Sequence, residues 1–302
     1  MIKITVAVIT SGSRPRQLQR LLESLENQKG RNLTFQLTVA LVDNATLPSL
    51  NLKSFPTGLE IATAHEAQRG IPFARNRSLT IAQEFAPDFI AFIDDDEQAS
   101  RTWLTEALRV VQEYKADAVA GRVEYDFALP VPAWRRLGGF YDSPTQNTGD
   151  PLPFARTGNL IVSASLLMQQ GHQRFDEALR YTGGSDIRFT EELVKLGAHI
   201  VWADEAVTYE HVPPERCSAR WALGRAYRVG NNIGRSIVRG RGHFRRTYAV
   251  ASGLIRIPYA AILLFGGMLL FDSARLGNGL RVAVRGIGIV TSPFHSHDEY
   301  GA

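Results

Sequence analysis

The chain has 302 residues, 44% of them hydrophobic and 21% charged, with 34 Lys and Arg against 30 Asp and Glu. That composition excludes a disordered, collagen-like or low-complexity chain and leaves enough apolar material for one large core or for a catalytic domain with an accessory region. The single cysteine, Cys217, excludes an intrachain disulfide and any Cys/His zinc spacing, which favours a reducing, cytosolic setting.

In chain order, the opening "MIKITVAVITSGSRPRQ" has no signal-peptide cleavage pattern, and Ile4 to Ile9 read as a buried first strand. After Pro15, the i, i+3, i+4, i+7 spacing of Leu18, Leu21, Leu22 and Leu25 predicts an amphipathic helix. "FQLTVALVDNA" is a second strand ending in Asp43. A short strand near Leu59 to Ala62, a helix from about Pro72 to Phe85 and the strand "DFIAFID" follow. Ser100 reads as the N-cap of a helix carrying Trp103, Leu104, Ala107, Leu108 and Val111, and "ADAVAGRVEY" is the next strand. Strand and helix therefore alternate through the first 125 residues, the pattern of a mostly parallel sheet covered on both faces.

The weakly patterned stretch from Asp126 to Pro153 reads as a long loop or flap. Beyond it lie a strand at "GNLIVS", a helix near "ASLLMQQ", the segment "YTGGSDIRFTEELVKLG" and a strand pair near "HIVWADEAVTYEHV". The last 85 or so residues are helical in pattern, without the look of a second independent core.

Ligands of open α/β sheets bind beyond the carboxyl ends of the strands. Three strands would deliver "TSGSRP", Asp43 with Asn44, and Asp94-Asp95-Asp96-Glu97 to one such edge. Like charges about 4 Å apart repel by roughly 1 kcal/mol in water and by more where partly desolvated. An acidic strand end therefore suits a divalent cation that bridges a diphosphate, since hard cations want oxygen ligands and take the remainder from phosphates. On an extended chain Asp94 and Asp96 would point the same way, towards the ligand, with Asp95 and Glu97 in support.

These motifs, taken in order, resemble the inverting glycosyltransferases of family 2. The resemblance covers roughly residues 3 to 225 and rests on "VAVITSGSRPRQLQRLLESL", "LVDNA", "RGIPFARNRSL", "FIDDDE", "TGGSDIRFTEELVKLG" and "EHVPPERCSARW". "GIPFARNRSL" with "FIDDDE" is most similar to the succinoglycan-type bacterial exopolysaccharide glucosyltransferases. The resemblance implies a GT-A fold: a mixed, mostly parallel central sheet flanked by helices, with a catalytic domain at 1–225 and a helical, basic C-terminal extension at 226–302.

For the donor, it implies that Thr10 and Arg14 line the nucleotide pocket and that Asp43 accepts a hydrogen bond from uracil. Arg75 would lie near the diphosphate or uridine, Asp94 near the ribose with Asp95 beside it, and Asp96 would bind Mn²⁺ or Mg²⁺. His211 matches a position where some members place a histidine near the metal. Asp186, in the run Gly183-Gly184-Ser185-Asp186, would be the catalytic base, with the two glycines on the acceptor side. The family commonly has Gly-Gly-Glu-Asp there, and Ser185 replaces the glutamate, so a nucleotide-sugar-binding scaffold without catalysis stays an alternative. Ser185 would make a good N-cap, leaving Asp186 to complement the helix dipole on the structural reading.

"CSARW" is similar to the Gln-x-x-Arg-Trp motif of processive synthases, with Arg220 and Trp221 present on the acceptor side but Cys217 in place of the glutamine. That departure points to single-sugar addition. The implied reaction moves a sugar, glucose by resemblance, from a UDP-sugar to a lipid-linked or growing oligosaccharide. A dinucleotide-binding oxidoreductase is disfavoured because "TSGSRP" is no Gly-x-Gly-x-x-Gly turn.

Charge divides the chain. From Glu215 onward, 13 arginines and no lysine face four acids, whereas the remainder carries 21 bases and 26 acids. Arginines at 235, 239, 241, 245 and 246 precede the apolar run Ile257 to Phe271, whose 15 residues fall short of the roughly 20 that a spanning helix needs. The run reads as an interfacial, re-entrant or buried helix. With the arginines it suggests peripheral or monotopic attachment to an anionic membrane surface, at the cytoplasmic face of the cell membrane. Nucleic acid is disfavoured because the arginines lack interleaved stacking aromatics. The oligomeric state is not legible.

Overall fold

The computed structural model describes residues 1–28, 34–51, 58–141, 146–169, 174–180, 183–238 and 243–294. In chain order the elements are β1 Ile2–Thr10, α1 Pro15–Glu26, β2 Phe35–Asp43, β3 Glu60–His65, α2 Ile71–Glu84, β4 Phe89–Ile93, β5 Glu97–Ala99, α3 Trp103–Tyr114 and β6 Ala118–Phe127. Then come α4 Ala133–Arg136, β7 Asn159–Ser163, α5 Ala164–Gln169, α6 Ser185–Lys195, β8 Ile200–Val212, α7 Ala219–Val238, α8 His243–Leu254, α9 Arg256–Leu269 and α10 Ser273–Thr291.

The chain divides into two compact units, 1–124 with 144–180 and 184–210, and 125–143 with 181–183 and 211–302. This partition differs from a simple cut at residue 225 because both β6 and β8 run from one unit into the other.

The first unit is built on an eight-stranded sheet of order β3-β2-β1-β4-β7-β6-β8-β5. β1 pairs in parallel with β2 and β4, and β2 with β3, while β7 runs antiparallel to β4 and β6, and β5 antiparallel to β8. The sheet is thus mixed, as expected, but the expected parallel majority is confined to its β1 side: these pairings are three parallel and three antiparallel. Side chains alternate along each central strand, so Ile4, Val6 and Val8 enter one core cluster and Ala7 the other. The four α1 leucines and Trp103, Leu104 and Leu108 of α3 fill the first of these clusters. Residues of α2, α5 and α6 fill the second, including Ala74, Leu79, Leu167, Phe189 and Leu193. Each fully buried leucine contributes about 1.5–3 kcal/mol relative to exposure.

Four local expectations need correction. Ser100 is not the N-cap of α3: Thr102 holds that place without a side-chain cap, and the Ser100 carbonyl accepts from Trp103 N at 3.1 Å. Residues 200 to 212 form one 13-residue strand, not a pair, because no turn residue interrupts them. Glu97 does not extend the acidic strand end. It begins β5, whose pairing with β8 places it at the far edge of the sheet.

The fourth correction concerns the second unit, which does have an apolar cluster of its own. Phe140, Tyr141, Val212, Cys217, Ala222 and Ala226 are buried there, with Tyr125, Phe127, Trp134 and Trp221 packed against them. The stretch of the predicted flap that belongs to this unit and is described, 126–141, is therefore anchored: Tyr141 Oη donates to the Arg216 carbonyl at 2.8 Å, and Arg135 donates to the Cys217 carbonyl. Helix α10 packs through glycines. A methyl group at Gly288 would strike the Tyr227 carbonyl of α7, and one at Gly279 would press on Leu264 of α9.

Candidate functional site

The carboxyl ends of the parallel strands carry the site. Thr10 ends β1 beside Asp43 of β2 in register, and the acidic triplet follows β4 on the other side of β1. Asp94, Asp95 and Asp96 do not continue as an extended strand. Glu97 N donates to the Asp94 carbonyl at 3.1 Å, closing a turn, so the alternation of facing expected for these acids is replaced by a fan.

Each acid of that fan has a distinct neighbour. Asp94 Oδ1 lies 3.3 Å from Arg75 Nη2. Asp95 accepts from the Thr10 hydroxyl at 2.6 Å and from Arg14 Nη1 at 3.2 Å. The same Arg14 nitrogen is 2.5 Å from Asp96 Oδ2. Arg14 is free to reach them because it is the N-cap residue of α1, with Pro15 after it, and its side chain makes no cap. Arg75 is buried on α2, its guanidinium 5.5 Å from the centre of the Phe175 ring, so it is no surface helix residue. Asn76 beside it donates to the Phe175 carbonyl and accepts from Phe175 N, at 3.0 and 2.8 Å, and so fixes that ring.

Protonation follows burial. Burial pushes Asp95 up to about 6, with the Thr10 hydrogen bond and Arg14 opposing and Asp96 and Asp94 adding to the rise. Asp94 is also raised, by desolvation and by Asp96 and Asp186, against Arg75, although 42% of its side chain is open to solvent. Glu97 is buried and held well above the usual carboxylate range by desolvation, Asp94 and Glu210. Gly158 makes room for it, since a Cβ there would come within 2.6 Å of Glu97 Oε1.

A stability slope follows from Asp95. Between its ordinary value of 3.8 and about 6 the folded state binds the extra proton, so stability falls as pH rises through that window. The loss is up to about 3 kcal/mol. Urea denaturation at a series of pH values, with chelator present, should show this slope, and Asp95→Asn should flatten it.

Asp43 is committed locally. Ala45 N, Ser49 N, Ser49 Oγ and Leu50 N all donate to its carboxylate at 2.5 to 3.1 Å. Burial works against its charge, but these donors outweigh it and hold Asp43 below its ordinary value. The uracil hydrogen bond implied by resemblance would have to share these oxygens. The loop they hold walls a small cleft lined by Thr10, Gly12, Pro15, Ser49, Leu50 and Asn51. Gly12, at φ 72°, lies so close to Ser49 that no side chain fits between them.

Asp186 stands in the first turn of α6, whose N-cap is Gly184 at φ 82°, preceded by Gly183 at φ 69°. Two successive left-handed residues favour glycine because a Cβ costs about 1–2 kcal/mol at each. Ser185 is the first helical residue and buried, so it does not cap the helix as expected; the left-handed entry gives that place to Gly184. Thr190 Oγ1 accepts from Ala155 N and donates to the Ala155 carbonyl, both at 2.9 Å, which fixes α6. Asp186 is near enough to Asp94 to raise its pKa, and its carboxylate makes no hydrogen bond among the described residues.

The fold thus brings Thr10, Arg14, Arg75, Asp94, Asp95, Asp96 and Asp186 together within the first unit. His211, Arg220 and Trp221 belong to the second. There His211 Nδ1 is 3.3 Å from Asp126 Oδ2, Arg220 is exposed, and the Trp221 ring is stacked on Tyr141 with Arg216 and Arg225 against it.

The family model for glycosyl transferase family 2 matches residues 5–171. The chain belongs to this family. It is 30% identical to the succinoglycan biosynthesis protein ExoM of Rhizobium meliloti (strain 1021), over 93% of this chain and 92% of that protein. Among solved structures it is similar to S. aureus TarS 1-349 in complex with UDP-GlcNAc, with TM-score 0.52 and 17% identity over 94% of this chain and 90% of that one. The UDP complex of the same fragment gives TM-score 0.50 and 18% identity, over 93% and 90% of the two chains. The fold of this family-2 glycosyltransferase is therefore GT-A-like, with a helical C-terminal part.

Proposed function

We infer that this glycosyltransferase moves a sugar from a UDP-sugar, with inversion, to a hydroxyl of a lipid-linked or growing saccharide during exopolysaccharide or cell-surface polysaccharide assembly. The observation that carries this reading is the convergence of Asp186 with Asp94, Arg75 and the Arg14-bound acids at the carboxyl ends of the parallel strands. The name of the R. meliloti relative supports the pathway class, and the UDP and UDP-GlcNAc complexes of TarS support a uridine nucleotide donor.

Thr10, Arg14 and the cleft beside them hold the nucleotide end, and Arg75 orients Asp94. Asp186 takes the proton of the acceptor hydroxyl as its oxygen bonds to the anomeric carbon, while the bond to UDP breaks on the opposite face and its electron pair leaves with the diphosphate. Acidic oxygens on one turn fit a divalent cation, Mn²⁺ or Mg²⁺. Among the described residues no cluster of three His, Cys, Asp or Glu side chains would cage one, so its other ligands would be phosphate oxygens and water. Asp96 would hold that ion, whose positive charge would stabilise the departing UDP.

UDP release measured with a panel of UDP-sugars, UDP-glucose first, tests the reading. Turnover with one donor and a lipid-linked saccharide is the expected result. UDP binding without turnover on any donor assigns the non-catalytic scaffold instead.

Attachment to the cytoplasmic face of the cell membrane is part of the same proposal. The described residues of the second unit carry thirteen arginines against three acids, Asp126, Glu215 and Asp272. Helices α8 and α9 follow end to end, and the 26 residues from Phe244 to Leu269 are long and apolar enough to cross a membrane: their most apolar 18-residue window has mean hydropathy 1.7 and is only 17% buried. Ile262, Phe265, Met268, Leu269 and Phe271 are exposed on it or just past its end, so the run is not a core helix. Arg256 interrupts the middle, where a charge at the bilayer centre costs about 2.5–3.5 kcal/mol on insertion scales, which favours lying in one leaflet. Flotation with phosphatidylglycerol vesicles should recover the protein, and Phe265→Asp with Phe271→Asp should abolish recovery while sparing UDP binding.

A further inference from the structure

The acidic turn already holds a cation, and that cation belongs to the chain. Arg14 Nη1 reaches both Asp95 Oδ1 and Asp96 Oδ2, at 3.2 and 2.5 Å, and only 11% of either acid's side chain is exposed. The guanidinium thus offsets the repulsion within the triplet where a divalent ion would otherwise do so. It does so from a flexible side chain, 33% exposed, anchored at the first turn of α1 and next to the cleft lined by Thr10 and Pro15.

We propose that Arg14 is a built-in competitor for the divalent cation: its guanidinium takes the Asp96 oxygen that the ion would use, and the ion binds only by displacing it. This rests on the metal-dependent transfer proposed above and adds its regulation. Three consequences follow. Free Mn²⁺ binds weakly. The diphosphate, by attracting both the ion and the displaced guanidinium, makes the exchange favourable. The acids stay neutralised throughout, so the turn keeps its shape with or without substrate.

The test is Mn²⁺ binding to nucleotide-free protein, read from the free-ion electron paramagnetic resonance signal. Arg14→Ala is expected to bind Mn²⁺ about tenfold or more tightly than wild type, since a positive charge is removed from the carboxylate. Arg14→Lys should stay near wild type. Millimolar guanidinium, but not potassium at equal ionic strength, should weaken Mn²⁺ binding to Arg14→Ala by refilling the vacated position. That rescue separates displacement from simple charge repulsion, and thermal unfolding of Arg14→Ala checks that the variant is folded.

Equal affinity in wild type and Arg14→Ala, or no guanidinium effect, overturns the competition and leaves metal-dependent transfer standing. No Mn²⁺ bound by any form, with or without UDP, overturns both.

Discussion

An Asp186→Asn enzyme is expected to bind its UDP-sugar as tightly as wild type and to lose about 10² to 10⁴ in kcat, the usual weight of a positioned general base. The geometry makes the substitution clean. Asparagine is nearly isosteric, and the carboxylate makes no hydrogen bond that would be lost among the described residues. The left-handed Gly183 and Gly184 and the Thr190 bonds to Ala155 position the residue through the backbone, which the change leaves alone. Stability should hold or rise slightly, because Asp186 now acts on Asp94 as a like charge. A carboxylate that merely complemented the α6 dipole would behave in the opposite way, with activity kept and about 0.3–1 kcal/mol of stability lost. Stopped-assay turnover beside chemical denaturation distinguishes the two, and full kcat in the variant removes Asp186 from the mechanism.

The parts of this fold set by local pattern could be read from the sequence. The β1 and β2 runs are apolar on both faces because both are covered, and the α1 leucines repeat at helical spacing because one face is buried. The acids were recognisable as a strand end, but their turn was not, because it depends on Glu97 joining β8, a strand more than one hundred residues later. Distant partners hid other features too. Asn159 accepts from Trp103 Nε1 at 2.8 Å and donates to the carbonyls of Arg122 and Ala206, and nothing in its neighbourhood announces such a junction. In the second unit, the glycines of α10 are the packing surface, a role visible only once α10 lies against α7 and α9.

The division of labour among the three acids leads to the second large effect. Asp96→Asn should lower UDP-sugar turnover by at least about 10², because an amide is a poor ligand where charge on the departing diphosphate must be offset, a contribution of several kcal/mol. Asp95→Asn should cost about tenfold or less. The reason is not alternation along a strand, since the residues lie in a turn. Asp95 spends one oxygen on the buried Thr10 hydroxyl at the end of β1 and the other on Arg14, so it ties the turn to the sheet. Its asparagine can still accept from Thr10, and each neutral hydrogen bond is worth only about 1 kcal/mol. Asp96 is held by Arg14, whose long side chain can yield its place. The signature that separates the variants is Mn²⁺ dependence: residual activity of Asp96→Asn should no longer respond to Mn²⁺ concentration, whereas Asp95→Asn should titrate as wild type does. Equal losses with equal Mn²⁺ responses would mean that the two carboxylates act as one unit, and Asp96 would have no separate claim to the cation.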